Sequence, residues 1–251
     1  MIELTHRGDV ALVKLVHGKA NALDLEFCEA LAAQFEALRD TAARALVLTG
    51  QGRMFCAGVD LLRLSAGGVP YVRRFLPALH RLYDTLFFFS KPVVAAVNGH
   101  AIAGGCVLEC CADRRIAARD GGRIGVTELL VGVPFPALAF EIMRFAVAPR
   151  YFADTILSGA TFAPEAAHER GLVDELAEPA ALTDRAVAAA ETLAALSPAA
   201  FAQSKQQIRQ SVADALARHG GRIDAAAEEI WTAPATLDRV RDYVARTLKK
   251  A

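Results

Sequence analysis

The chain has 251 residues, 54% of them hydrophobic, enough to bury a full core at the upper size limit of a single domain. Lys plus Arg and Asp plus Glu both total 28, so no overall field draws the protein to nucleic acid or to an anionic membrane surface, and an anionic ligand must be held locally. The N-terminal MIELTHRGDVALVKLV lacks a basic start followed by a long apolar run, and no stretch reaches about 18 uninterrupted apolar residues, which predicts a soluble, cytoplasmic protein.

IELTHR and VALVKL flank Gly8 and Asp9 and read as a β-hairpin. Helical periodicity then runs from Asp24, an N-cap, through LEFCEALAAQFEALRD. ALVLTG is a short β-branched run that stops at a glycine, as a buried parallel strand does. After a second helical stretch from Tyr71 to Phe89, PVVAAVNG repeats that form. Ser65 to Val69, SAGGV, reads as a flexible loop. RRIAA and GRIGV are weaker strands, and from Pro136 onward FPALAFEIMRFAV, PRYFADTILSG and PEAAHERGLV are helical. The tail from Ala181 is alanine-rich and amphipathic. Strands first and helices later predict an α/β body, residues 1–180, with a helical C-terminal layer, residues 181–251, for packing and oligomerisation.

Five cysteines, Cys28, Cys56, Cys106, Cys110 and Cys111, are odd in number and lie in apolar segments without a metal-site spacing. A disulfide framework and a zinc site are poor readings; Cys106, Cys110 and Cys111 resemble a metal cluster, but at helical spacing in an alanine-rich run they read as small buried hydrophobes.

Two glycine-rich segments carry the functional signal. GQGRMFCAGVDL follows the first buried strand and NGHAIAGGCVLECCAD the second, each at a strand's carboxyl end, where an open parallel sheet forms its ligand crevice. In the second segment the glycines lead into a helix, so amides near Gly104 and Gly105 are unpaired first-turn donors suited to an anion or a developing oxyanion. Neither segment is a dinucleotide fingerprint or a Walker-type phosphate loop.

FCAGVDL, KPVVAAVNGHAIAGGCVL, IGVTELLVGV and LSGATFAPEAAHERGLVDEL resemble, in order and across most of the chain, the crotonase or enoyl-CoA hydratase/isomerase family. The resemblance implies a crotonase-like spiral of ββα units and an acyl-CoA thioester substrate whose oxygen is held by the backbone amides of Val59 and Gly104. It also implies that backbone groups of Ala57, Asp60 and Leu61 lie near the adenine of coenzyme A, with Gly105 and Val107 beside the substrate. Coenzyme A enters as part of the substrate, so no separate cofactor is expected. A homotrimer, possibly paired into a hexamer, is implied as well.

Carboxylate positions divide the family's reactions. Hydratases use two glutamates; in the first position this chain has Val107, and in the second it has Glu128. Glu109 is two residues from Val107, about 200° around a helix, and should point away from the ligand toward Arg114, Arg115 or solvent. Water addition divides naturally between two carboxylates, whereas moving a double bond from C3 to C2 needs one base that carries a proton from C2 to C4. The residues therefore resemble the Δ3,Δ2-enoyl-CoA isomerase branch, and PFPALAFEI after Glu128 and the ending RVRDYVARTLKK both depart from hydratases. The alternatives are a hydratase that recruits Glu109 or His100, and a non-catalytic acyl-CoA binder. Phe75, Leu76, Leu79, Leu82, Phe87 and Phe88 read mainly as core, with an acyl tunnel as the other use of that surface.

Overall fold

The computed structural model describes residues 1–247. The last residues of the RVRDYVARTLKK ending therefore lie outside the described residues. Strands β1 (Ile2–Arg7) and β2 (Val10–Leu15) form the expected hairpin, with Arg7 opposite Val10. Helix α1 (Leu25–Arg39) starts where the Asp24 carboxylate accepts the Phe27 amide at 2.8 Å. Its apolar stripe, Phe27, Leu31, Phe35 and Leu38, is buried.

Three ββα turns follow. Each sends its first strand into one sheet and its second strand into another. The first turn is β3 (Ala45–Thr49), β4 (Met54–Cys56) and α2 (Leu61–Phe87). Next come β5 (Val93–Val97), β6 (His100–Ile102) and α3 (Gly104–Cys110). The third is β7 (Arg114–Ala118), β8 (Ile124–Gly125) and the single-turn α4 (Glu128–Val131). Helices α5 (Ala137–Ala146) and α6 (Pro149–Ser158), strand β9 (Thr161–Phe162), helix α7 (Pro164–Glu169) and strand β10 (Glu175–Ala177) complete the body.

The larger sheet has the order β1-β2-β3-β5-β7-β10 and is parallel apart from the hairpin; the smaller has the order β4-β6-β8-β9. This spiral is the crotonase fold. β3 and β5 are buried at every position, because the larger sheet is covered on both faces. Leu46, Leu48, Val93 and Ala95 face the main core with α1, whereas Val47, Val94, Ala96 and Ile116 pack against α8 (Leu182–Ala194). Helices α9 (Pro198–Ala215), α10 (Gly221–Thr232) and α11 (Pro234–Thr247) follow. No helix among the described residues is long and apolar enough to cross a membrane.

Two expectations are corrected. The second sheet was not anticipated: β4 and β6 run inside the segments read as loops, as they are only three residues long and flanked by glycines. Ser65 to Val69 is not a loop but part of α2, interrupted at Gly68 (φ 56°, ψ −152°) just before Pro70. The helix resumes because Pro70 stands near the start of the new segment, where its missing N–H costs nothing.

α9 is tied to the body by buried charge. Asp113 Oδ2 accepts from Lys205 Nζ and Oδ1 from Arg209 Nη2, both at 2.7 Å, while Oδ2 also takes the Val93 amide at 2.8 Å.

Candidate active site

The spiral brings the two glycine segments together at the carboxyl ends of β4 and β6. Gly58 adopts φ +83°, and a Cβ there would stand 2.6 Å from the Ile102 carbonyl oxygen and 3.0 Å from the Gly104 nitrogen. Only glycine permits that approach. Leu23 pairs with this strap from the other side, its amide donating to Gly58 O and its carbonyl accepting from Asp60 N. Between those two bonds the Val59 amide has no partner among the described residues. The Gly104 amide, first in α3, likewise has none.

Ala103 turns that amide. It holds φ 51°, ψ −127°, a region that favours glycine, and its carbonyl accepts the Cys106 and Val107 amides. Strain of this kind costs about 1–3 kcal/mol and persists only where the surroundings enforce it. Ala103 N donating to Gly125 O at 2.8 Å is one enforcing contact.

Val59 and Gly104 both line a cavity of about 600 Å³. Of the residues anticipated from sequence, Val59, Gly104, Glu128, Ala57, Asp60, Leu61 and Val107 line it. Gly105 does not, which corrects its placement beside the substrate: its Cα is pressed against the backbone of β4, where a Cβ would meet Cys56 O at 2.1 Å. It serves helix-to-strand packing. Of the six apolar candidates for a tunnel, Leu79 alone lines the cavity, while Phe75, Leu82 and Phe87 are fully buried in the core.

Glu128, the first residue of α4, is the buried carboxylate of the cavity. Its Oε2 has no hydrogen-bond partner among the described residues. Burial pushes its pKa up to about 7, offset in part by the backbone amides of Thr127 and of Glu128 itself. Asp60 is the cavity's other acid, but its carboxylate is engaged as the α2 N-cap, accepting the Arg63 amide at 2.9 Å. Val107 presents an apolar side chain.

Glu109 and His100 stay outside the cavity. Glu109 is fully buried, not solvated, and forms no ion pair with Arg114 or Arg115, contrary to expectation. Those arginines pair with Glu175 and Asp174 across the β7–β10 edge. His100 Nδ1 accepts the Arg123 amide at 3.1 Å.

Several lining residues were not anticipated. Tyr83 is buried and donates its hydroxyl to Gly104 O at 2.9 Å, from the α2 face opposite α3. Lys19, Ala20 and Ala22 border the cavity from the segment after β2. Trp231 and Tyr243 add walls from α10 and α11, so the tail contributes to the site as well as to packing; Trp231 Nε1 is held by Pro134 O at 2.8 Å. Tyr83 carried no distinguishing signal in sequence, since HRLYDTLF mixes polar and apolar residues around it.

The cavity thus combines an apolar lining, two residues whose amides have no partner among the described residues, and one desolvated carboxylate, a set able to hold an oxygen and to move a proton. The comparisons give the family. Residues 5–227 match the family model described as enoyl-CoA hydratase/isomerase, and the chain belongs to that family. A Thermus thermophilus protein carrying an enoyl-CoA hydratase name is 34% identical over 205 residues, covering 80% of each chain. Enoyl-CoA delta isomerase 1 of Rattus norvegicus mitochondria is 27% identical over 179 residues, 70% of this chain and 62% of that protein. The solved structure of human mitochondrial delta3-delta2-enoyl-CoA isomerase superposes with a TM-score of 0.93 at 23% identity, covering 99% of this chain and 98% of that one, which shows the shared fold.

Proposed function

We propose that this family member shifts a double bond from C3 to C2 of an enoyl-CoA. The observation that carries the reading is the single desolvated carboxylate, Glu128, in a cavity that Val107 also lines with an apolar side chain.

In this reading the thioester oxygen lies between the Val59 and Gly104 amides. Glu128 removes a proton from C2, the negative charge spreads over a dienolate held by the two amides, and the same carboxyl returns the proton at C4. The carboxylate is regenerated and no water is consumed. One well-aimed amide is worth about 3 kcal/mol of transition-state stabilisation. An apolar cavity favours the chemistry twice, by raising the basicity of Glu128 and by excluding water from the dienolate. Ala57, Asp60 and Leu61 would hold the coenzyme A moiety through their backbone. The enzyme would need no further cofactor, and trimers or hexamers of the chain are the expected assembly.

Hydratase is the second reading, supported by the name of the Thermus relative. A 3-enoyl-CoA and crotonyl-CoA supplied separately distinguish the two. Appearance of the conjugated thioester absorbance from the 3-enoyl-CoA, with crotonyl-CoA left intact, is expected; rapid loss of crotonyl-CoA absorbance overturns the isomerase reading. Tight acyl-CoA binding with no turnover of either substrate would instead mark a binder.

A further inference from the structure

On the side of α3 turned away from the acyl cavity, Cys106, Glu109 and Cys110 form a cluster that the proposed reaction does not use. Their spacing of three and four residues puts them on one helix face. The two sulfurs and a carboxylate oxygen all lie within 4.8 Å of one another. Cys106 and Glu109 are fully buried, and Cys110 is 2% exposed. Cys106 Sγ donates to Glu109 Oε1 at 3.6 Å, but Oε2 has no partner among the described residues. An oxygen left bare in the interior forfeits the hydrogen bonds it made to water, so a carboxyl held there without a partner calls for an explanation.

We infer that Cys106, Glu109 and Cys110 form a binding site for a thiophilic divalent cation of the zinc class. Two sulfurs and one oxygen suit zinc or cadmium, whereas magnesium and calcium require an all-oxygen set. Binding would exchange the two thiol protons for two metal–sulfur bonds and, where burial keeps the Glu109 carboxyl protonated, that proton for a metal–oxygen bond, all of them released to solvent. Water would complete the tetrahedron.

Of the three ligands, Cys110 supplies the approach, while Cys106 and Glu109 lie behind it, fully buried. Cys110 borders a second cavity of about 390 Å³, which also touches Arg114, Arg115, Lys205 and Arg209. Each of these cations is already committed: Arg114 to Glu175, Arg115 to Asp174, and Lys205 and Arg209 to Asp113. Arg115 Nη1 stands 4.0 Å from Cys110 Sγ, a donor positioned to support a thiolate there. An ion in this place would brace α3, the helix whose first residue lines the acyl cavity.

Cadmium alone tests the site. The full chain, reduced with a phosphine, is titrated with Cd²⁺ while the thiolate-to-cadmium charge-transfer absorbance and the native mass are followed. One ion per chain is expected. Cys106→Ser, Cys110→Ser and Glu109→Gln should each weaken binding by at least about tenfold, the scale at which even outer partners of a metal count, and Cys28→Ser should not. Absence of the band in the unaltered protein, or undiminished binding by Cys110→Ser, overturns the assignment. Should the serine variants fail to fold, X-ray absorption on the unaltered protein decides: two sulfurs with oxygen support the site, and any other shell refutes it.

Discussion

Replacing Glu128 by glutamine keeps the shape of the side chain and removes its charge, which separates what the carboxylate does for the reaction from what it costs the fold. In the folded protein burial raises its pKa from 4.5 to about 7. Between those values the folded chain holds a proton that the unfolded chain has lost, so stability falls as pH rises through the window. At 1.36 kcal/mol per unit, ionising the buried carboxyl costs up to about 3 kcal/mol by pH 8 and nothing below pH 4.5. Glu128→Gln removes that slope. Measured at one protein concentration, the variant should be close to the parent near pH 4.5 and more stable at pH 8, by about 2–4 °C in Tm for each kcal/mol in a chain of this size. Isomerisation should be lost while acyl-CoA binding persists, and the parent's kcat/KM should rise through about pH 7 as the free enzyme's base deprotonates. A stability difference equal at the two pH values would refute the desolvation argument, and retained turnover would refute the role of Glu128.

Three further substitutions probe the frame around the site. Ala103→Gly should relieve the φ 51°, ψ −127° conformation and stabilise the fold by about 1 kcal/mol after the backbone entropy of glycine is counted, read as a higher Tm. Tyr83→Phe removes the hydroxyl that holds Gly104 O at 2.9 Å; a loss of about 1 kcal/mol of stability and a fall in kcat larger than any change in KM are expected from steady-state kinetics. Asp113→Ala strands Lys205 and Arg209, 6% and 3% exposed in their side chains, and should cost about 3–5 kcal/mol in urea unfolding.

Much of this protein is legible in one dimension. The Asp24 cap, the Gly8–Asp9 turn and the uninterrupted apolar runs ALVLT and VVAAV mark their elements because the forces that form them act between near neighbours or on whole strands. The resemblance of ordered motifs leads to the family, and most of the anticipated site residues line one cavity. Three-residue strands such as β4 and β6 escape notice because their pairing partners come from other turns of the spiral.

Tertiary structure alone decided what surrounds each functional atom. Glu128 is an unremarkable glutamate in TELLVG until α4 is packed against the cavity, where desolvation moves its pKa. Glu109, two positions from Val107, is likewise ordinary in sequence, yet folding encloses it between two thiols with one oxygen bare. Tyr83 reaches the cavity from α2, and Trp231 and Tyr243 from α10 and α11 at the other end of the chain. The order of residues determines which groups and local conformations are available; burial, which fixes solvation and hence charge, is a property of the packed whole.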